Sequence, residues 1–327
     1  MKKIAPAMLA LAVFCLGIAS LAQVVARQAP MASTKQAPAF YRGYLGRFEV
    51  TALSDGAAPR NLEEILSNPG LVRQLLAEGH LPEPAAIPIN AYLINSCSHL
   101  VLIDTGAGEL FGPTSGFLIS NLKEAGYQPQ QIDIILLTHI HGDHSGGLSI
   151  AGVRQFPNAT VYVDQHDLEY FVTRRDSSDE SETLQRQVEQ SRATVDPYLK
   201  ANRVVTIKQD GEVIPGISSS SQPGHTPGHT AYLVQSEGHA ILFWGDIIHS
   251  SEVQFDHPEV SVAYDVEPRE AAQTRLREFQ FATEREILVG SDHISFPGLG
   301  HIRKVGSTYN WVPIKYATTV TELDPKP

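Results

Sequence analysis

The sequence predicts an α/β fold built on two packed sheets. Short apolar, β-branched runs recur along the chain and alternate with amphipathic, helix-like stretches. These runs form two series on either side of a polar segment at 173–201. Runs in both series are flanked by histidine or aspartate, so each half delivers side chains of the same chemistry.

Taken in order, the first series reads as strands at 48–53, 91–94, 100–103, 134–137 and 160–163, with helices expected at 62–78 and 116–125. The second reads as strands at 204–207, 231–234, 240–244 and 287–289. A helix is expected at 267–278, where Pro268, Arg269 and Glu270 suit a first turn. Between the halves, 173–201 is dense in charge (Arg174, Arg175, Asp176, Asp179, Glu180, Glu182) and reads as a solvated helix pair. No fixed-period repeat is present.

The ends of the chain have their own signatures. Met1-Lys2-Lys3, the apolar stretch 4–21 and the small residues Ser20 and Ala22 form a secretory signal peptide pattern, with cleavage expected after Ala22 or Ala26. The expected parsing is a leader at 1–26, an Ala/Pro/Gln/Ser-rich linker at 27–38, one domain at 39–316 and a tail at 317–327. The mature protein is then expected in the periplasm or secreted, without stable membrane insertion. An uncleaved anchor is the alternative, because the apolar run is near the minimum that spans a bilayer.

Composition narrows the function. With 327 residues, 42% hydrophobic and 19% charged, the chain suits one large domain or two small ones. A net charge of −11 argues against nucleic acid as partner, which needs clustered Lys and Arg. Without the leader Cys97 is the sole cysteine, which excludes an intramolecular disulfide and cysteine metal ligands. It is expected to be buried.

The most informative run is THIHGDH at 138–144, which follows the apolar run at 134–137 and sets three imidazoles and a carboxylate at one strand end. GHTPGH at 224–229 precedes a strand; GD at 245–246 and GSDH at 290–293 follow strands. Imidazole and carboxylate together suit zinc or another first-row metal. Ligands gathered from several strand ends are what a preformed two-metal site requires.

These motifs resemble those of the metallo-β-lactamase-fold dinuclear hydrolases, and most nearly the methyl parathion hydrolase-like subgroup. The subgroup likeness rests on FEVTALSDG at 48–56, LIDTGA at 102–107, LFGPT at 110–114 and SFPGLGHIR at 295–303. The resemblance runs from about Tyr41 to Tyr316 and implies a four-layered αβ/βα sandwich of two mixed sheets with external helices. It implies that His139, His141 and His225 hold one divalent ion, that Asp143, His144 and His293 hold a second, and that Asp246 bridges them. Zinc is the first choice for both ions. A hydroxide between them is the expected nucleophile, and Asp143 and Asp246 are the expected catalytic carboxylates. His229 and Asp104 are expected to support the ligands from behind. His249 is a candidate neighbour of the pocket, and the segment 173–201 a candidate lid.

A small neutral ester is the implied substrate, with a lactone or aryl ester first and a phosphotriester second. Phe111 and Phe171 (or Tyr170) match two aromatic positions of the subgroup's leaving-group pocket. The third falls near Gln187 or Val188, where no aromatic residue stands, and this disfavours phosphotriesters. The alternatives on the same fold are a mononuclear iron persulfide dioxygenase-type oxidoreductase and a β-lactamase. A homodimer accords with the family.

Overall fold

The computed structural model describes residues 37, 39–175 and 180–324. The leader expected at 1–26 and, Ala37 apart, nearly all of the linker at 27–38 lie outside the described residues. Contacts divide the chain into Met1–Ala37 and Pro38–Pro327, and the fold below belongs to the second unit.

The first half forms strands β1 (Phe40–Leu45), β2 (Phe48–Arg60), β3 (Ala85–Asn95), β4 (Leu100–Ile103) and β5 (Ile134–Leu136), a small hairpin of β6 (Ser149–Ile150) and β7 (Val153–Arg154), then β8 (Thr160–Asp164) and β9 (Val204–Ile207). The second half forms β10 (Gly211–Ile214), β11 (Ile217–Ser221), β12 (Thr230–Ser236), β13 (His239–Phe243), β14 (Leu288–Gly290), β15 (Leu299–Val305) and β16 (Thr308–Pro313). Two seven-stranded sheets result, ordered β1-β2-β3-β4-β5-β8-β9 and β10 through β16 in sequence. Both are mixed: β4, β5, β8 and β9 pair in parallel, as do β13 and β14, and the other neighbours are antiparallel.

The helices are α1 (Leu62–Ile65), α2 (Pro69–Glu78), α3 (Leu118–Glu124), α4 (Gly142–Ser145), α5 (Gln165–Asp167, continued by a π-helical turn at Leu168–Thr173), α6 (Glu182–Lys200), α7 (Ser251–Gln254) and α8 (Pro268–Arg285). Side-chain alternation along the strands sorts the core into layers. Val50, Ala52, Tyr92, Ile94, Val101 and Ile103 meet Tyr232, Val234, Ile241, Phe243 and Leu288 between the sheets. The opposite face of the first sheet (Leu53, Leu93, Leu102, Ile135) packs on Leu118 and Leu122 of α3 and on Val188, Val195 and Tyr198 of α6. The outer face of the second sheet (Ala231, Leu242, Val289) packs on Phe279 and Ala282 of α8. This is the four-layered sandwich that the resemblance implied.

Several expectations need correction. The helix expected at 62–78 is two, because Asn68 precedes Pro69 and sits at φ 62, a left-handed conformation that ends the first helix. Leu66 instead bridges to Val262. Of the charged segment, Glu182–Lys200 fold as one long helix, α6, with Ser181 accepting at its N-cap from Leu184 N, and Asp176 and Asp179 lie outside the described residues. Cys97 is exposed. It occupies the tight turn between β3 and β4 at φ 68, where its N–H donates to Asn95 Oδ1 at 3.0 Å. Strands β1, β6, β7, β10, β11, β15 and β16 lie outside the expected runs.

Residues 317–324, read as tail, are part of the fold. Tyr44 N donates to Thr321 O at 2.9 Å and Leu323 N to Tyr44 O at 2.8 Å, and the Leu323 side chain is buried between the sheets. No helix among the described residues is long and apolar enough to cross a membrane.

Candidate metal centre

Strands β5, β13 and β14 end on one edge of the sandwich, and each runs directly into ligand-bearing residues. After β5 the chain turns through His139 and His141 into α4, which carries Asp143 and His144. Asp246 follows β13, His293 follows β14, and His225 lies in the turn before β12. Gly245 makes the turn to Asp246 possible: it sits at φ +54, and a Cβ there would lie 2.8 Å from both His229 Nε2 and the Thr138 side chain.

The geometry brings all seven predicted ligands together. His141 Nδ1 lies 3.1 Å from His139 Nε2 and 3.0 Å from His225 Nε2. Asp246 Oδ2 is 3.2 Å from His225 Nε2 and 3.7 Å from His139 Nε2. Ligands bound at about 2.0–2.1 Å around a tetrahedral zinc stand about 3.3–3.4 Å apart, so this spacing suits one ion. The other oxygen, Asp246 Oδ1, is 3.0 Å from His144 Nε2 and 3.1 Å from His293 Nε2. Asp143 closes that second group, with oxygens 3.9 Å from His144 Nε2 and 3.7 Å from His293 Nε2. One carboxylate thus faces two ligand groups.

The residues fit divalent ions on a further ground. His144 Nε2 and Asp246 Oδ1 are buried without a hydrogen bond of good geometry and lie 3.0 Å apart. An unpaired buried polar atom costs about 1–3 kcal/mol, and an ion between the two removes that cost.

Behind four of the five ligand imidazoles stands a partner that fixes the tautomer. His225 Nδ1 donates to Asp265 Oδ1 at 2.8 Å, His293 Nδ1 to Pro88 O at 2.7 Å and His139 Nδ1 to Thr138 Oγ1 at 3.1 Å. His144 Nδ1 donates to Asp104 Oδ2 at 2.9 Å, with Asp292 Oδ2 at 3.1 Å. His141 Nε2 meets the Gln187 amide of α6 at 3.0 Å. Asp104 also accepts from Thr138 N and Oγ1, and His229 Nε2 accepts from Asp246 N at 3.0 Å. Asp104 thus touches the His144 imidazole, and His229 the backbone of Asp246.

Charge in the ligand shell is polarised. Burial drives His139 and His141 well below the usual imidazole range, and neighbouring imidazoles add to it. Burial opposes protonation of His144 too, yet Asp246, Asp104 and Asp143 together hold it well above that range. Asp246 and Asp265 overcome burial to raise His225 to about 9, and Asp246 with Asp143 does the same for His293, to about 9. Burial would raise Asp246 itself, but four surrounding imidazoles hold it well below the carboxylate range. Protons thus neutralise the cluster where cations would, and binding an ion must displace them.

A cavity of about 450 Å³ opens over the centre, lined by His141, Asp143, Asp246, His249 and His293 among others. Phe111 lines it as expected. Phe171 does not: it is buried behind His141, with ring centroids 5.3 Å apart at 72°. Helix α6 contributes Thr183, Arg186, Gln187 and Gln190 to the wall, so the charged segment does border the pocket. Sequence reasoning missed Asp265, Asp292 and Gln187. His249 lies closer than expected, with Nε2 3.0 Å from Asp246 Oδ2, and its spacing three residues after Asp246 is the available signal.

The remaining histidines lie apart from the centre. His301 Nε2 is 3.4 Å from Asp324 and His239 Nδ1 3.1 Å from Asp324 O, both tying down the chain's end.

Comparison with known proteins agrees with this geometry. The family model of the metallo-beta-lactamase superfamily matches residues 85–290. An N-acyl homoserine lactonase from Bacillus sp is 26% identical over 241 residues, 68% of this chain and 86% of the relative. The solved structure of AbOPH, a hydrolase in the beta lactamase superfamily, superposes with a TM-score of 0.81 at 36% identity, covering 86% of this chain and 100% of that one. The dizinc quorum-quenching lactonase AidC superposes at 0.79 with 22% identity, covering 86% and 99%, a likeness of fold.

Proposed function

Because the chain belongs to the metallo-beta-lactamase superfamily and is by that kinship a metal-dependent hydrolase, we propose that it opens lactones and aryl esters at a two-zinc centre. Organophosphate triesters are the second substrate class. The observation that carries this is Asp246, whose two oxygens each face a separate group of ligands. Zinc ions held there supply a hydroxide nucleophile near neutral pH and polarise the carbonyl oxygen.

The chain's own residues do the rest. His139, His141, His225, Asp143, His144 and His293 fix the ligand positions, and Asp246 with His229 behind it sets the spacing between the two groups. Asp143 is partly exposed at the cavity edge, placed to carry a proton to the departing alkoxide. Leu62, Ile65, Ile87 and Ile89 form an apolar wall for an acyl chain and keep water from it. Lactones and carboxylic esters rank above phosphotriesters because, of the two rings matched in sequence, Phe111 borders the cavity and Phe171 does not, and Gln187 stands where a third ring is wanted; Tyr264 supplies a ring from a different part of the chain. The N-acyl homoserine lactonase relative supports the same order.

The test is a hydrolysis panel of acyl-homoserine lactones, dihydrocoumarin, aryl esters and methyl parathion with metal-loaded protein. Asp246→Ala abolishes turnover and lowers metal content; full metal with retained turnover rejects the proposal. One iron per chain, rather than two zinc ions, would replace it with the mononuclear oxidoreductase. Export is part of the same proposal, checked by sequencing the mature N-terminus for cleavage after Ala22 or Ala26.

A further inference from the structure

The cavity over the centre is bordered by two arginines that its metal-ligand groups do not explain. Apart from histidines, its charged lining residues are Asp143, Asp246, Arg60 and Arg186. Both aspartates face imidazoles of the ligand groups. Neither arginine forms an ion pair among the described residues, and Arg186 is exposed. In a chain with 36 acidic and 25 basic residues, two unpaired arginines in one cavity run against the overall charge.

Arg60 is half-buried at the end of β2, with its guanidinium 4.7 Å over the Phe111 ring. Among the described residues its guanidinium makes one hydrogen bond, from Nη1 to Pro59 O, and stacking steadies the plane. Arg186 lies on the face of α6 that also presents Thr183, Gln187 and Gln190 at helical spacing. Two guanidinium groups beside neutral donors suit a planar monoanion.

We propose that the favoured substrate is an ester or lactone bearing a carboxylate away from the scissile bond, held by Arg60 and Arg186. This rests on the hydrolase function proposed above and replaces the neutral substrate expected from sequence. The apolar wall takes the spacer between the two ends of such a molecule.

Zinc-loaded protein is assayed with phenyl hydrogen succinate, glutarate and adipate against phenyl butanoate, pentanoate and hexanoate, and with 3-carboxyphenyl against phenyl acetate. At least one carboxylate ester should exceed its neutral match by about tenfold in kcat/KM at low salt. The advantage shrinks with added salt and is lost in Arg60→Gln or Arg186→Gln. Neutral esters that do as well throughout, or an advantage that survives both substitutions, overturn the proposal.

If no ester is hydrolysed, the protein is not an ester hydrolase, and calorimetry decides anion recognition separately. Glutarate must then bind the metal-loaded protein more tightly than butanoate, with the margin lost in both variants. Equal affinities overturn the proposal.

Discussion

Asp265→Asn isolates one ligand group from the other. Asp265 Oδ1 accepts from His225 Nδ1 at 2.8 Å and Oδ2 accepts from Val262 N at 2.9 Å. Asparagine keeps the shape but offers one acceptor oxygen to these two N–H donors, and it removes the charge that makes the imidazole a stronger donor to metal. A hydrogen bond to a charged group contributes about 1.5–3 kcal/mol, or about 10–150-fold in affinity. Losing a supporting carboxylate typically weakens metal binding about 10–100-fold, and the two ranges overlap.

Proton competition works against that loss. His225 sits at about 9, so at pH 7 an ion must displace its proton, an opposing factor of about 100. The substitution lowers this pKa and relieves part of the competition. The loss should therefore be modest at pH 7 and grow to its full size above pH 9. Chelator competition with cobalt across that range reads it, and the group around His144 and His293 should keep its affinity. A ratio near one at every pH, or equal loss at both sites, refutes the reasoning.

Three other outcomes follow from the geometry. His225 and His293 both sit at about 9, raised from 6.5, so they stabilise the metal-free protein fully below pH 6.5 and lose that contribution as pH rises through 9. Metal uptake at pH 7 should accordingly release protons, measured by calorimetry in buffers of different ionisation enthalpy, and bind more tightly as pH rises. Gly245→Ala should lower both metal content and melting temperature, since the new Cβ meets His229 and Thr138 at 2.8 Å and a positive φ adds about 1–2 kcal/mol of strain. Phe279→Ala, in a buried cluster with Trp244, Phe255 and Tyr309, should cost about 3–5 kcal/mol by denaturant melts while folded protein keeps its metal.

The ligands are legible in the sequence because each sits within a few residues of a strand, and a strand end has a readable apolar signature. The partners behind them are not. Asp265 lies in irregular chain before α8, and its link to His225 spans 40 residues with no local pattern to mark it. Gln187 lies on a helix whose polar surface resembles any solvated face, so its contact with His141 depends on how α6 docks. The missed strands have similar causes. In β11 the run Ile217–Ser221 is mostly serine, and β15 begins with Leu299, Gly300 and His301, so neither shows the apolar alternation that betrays β2 or β3. Cys97 was misplaced because a hydrophobic residue type says nothing of a turn that Asn95 and its neighbours dictate.

The union of Tyr44 with Thr321 and Leu323 bears on the order in which the molecule is completed. The outermost strand of the first sheet emerges early from the ribosome, yet its covering segment is synthesised long after His293 has appeared. Every metal ligand is thus translated before that edge is sealed. A protein truncated after residue 316 should hold cations while its first strand lacks Leu323, and proteases would find that border first.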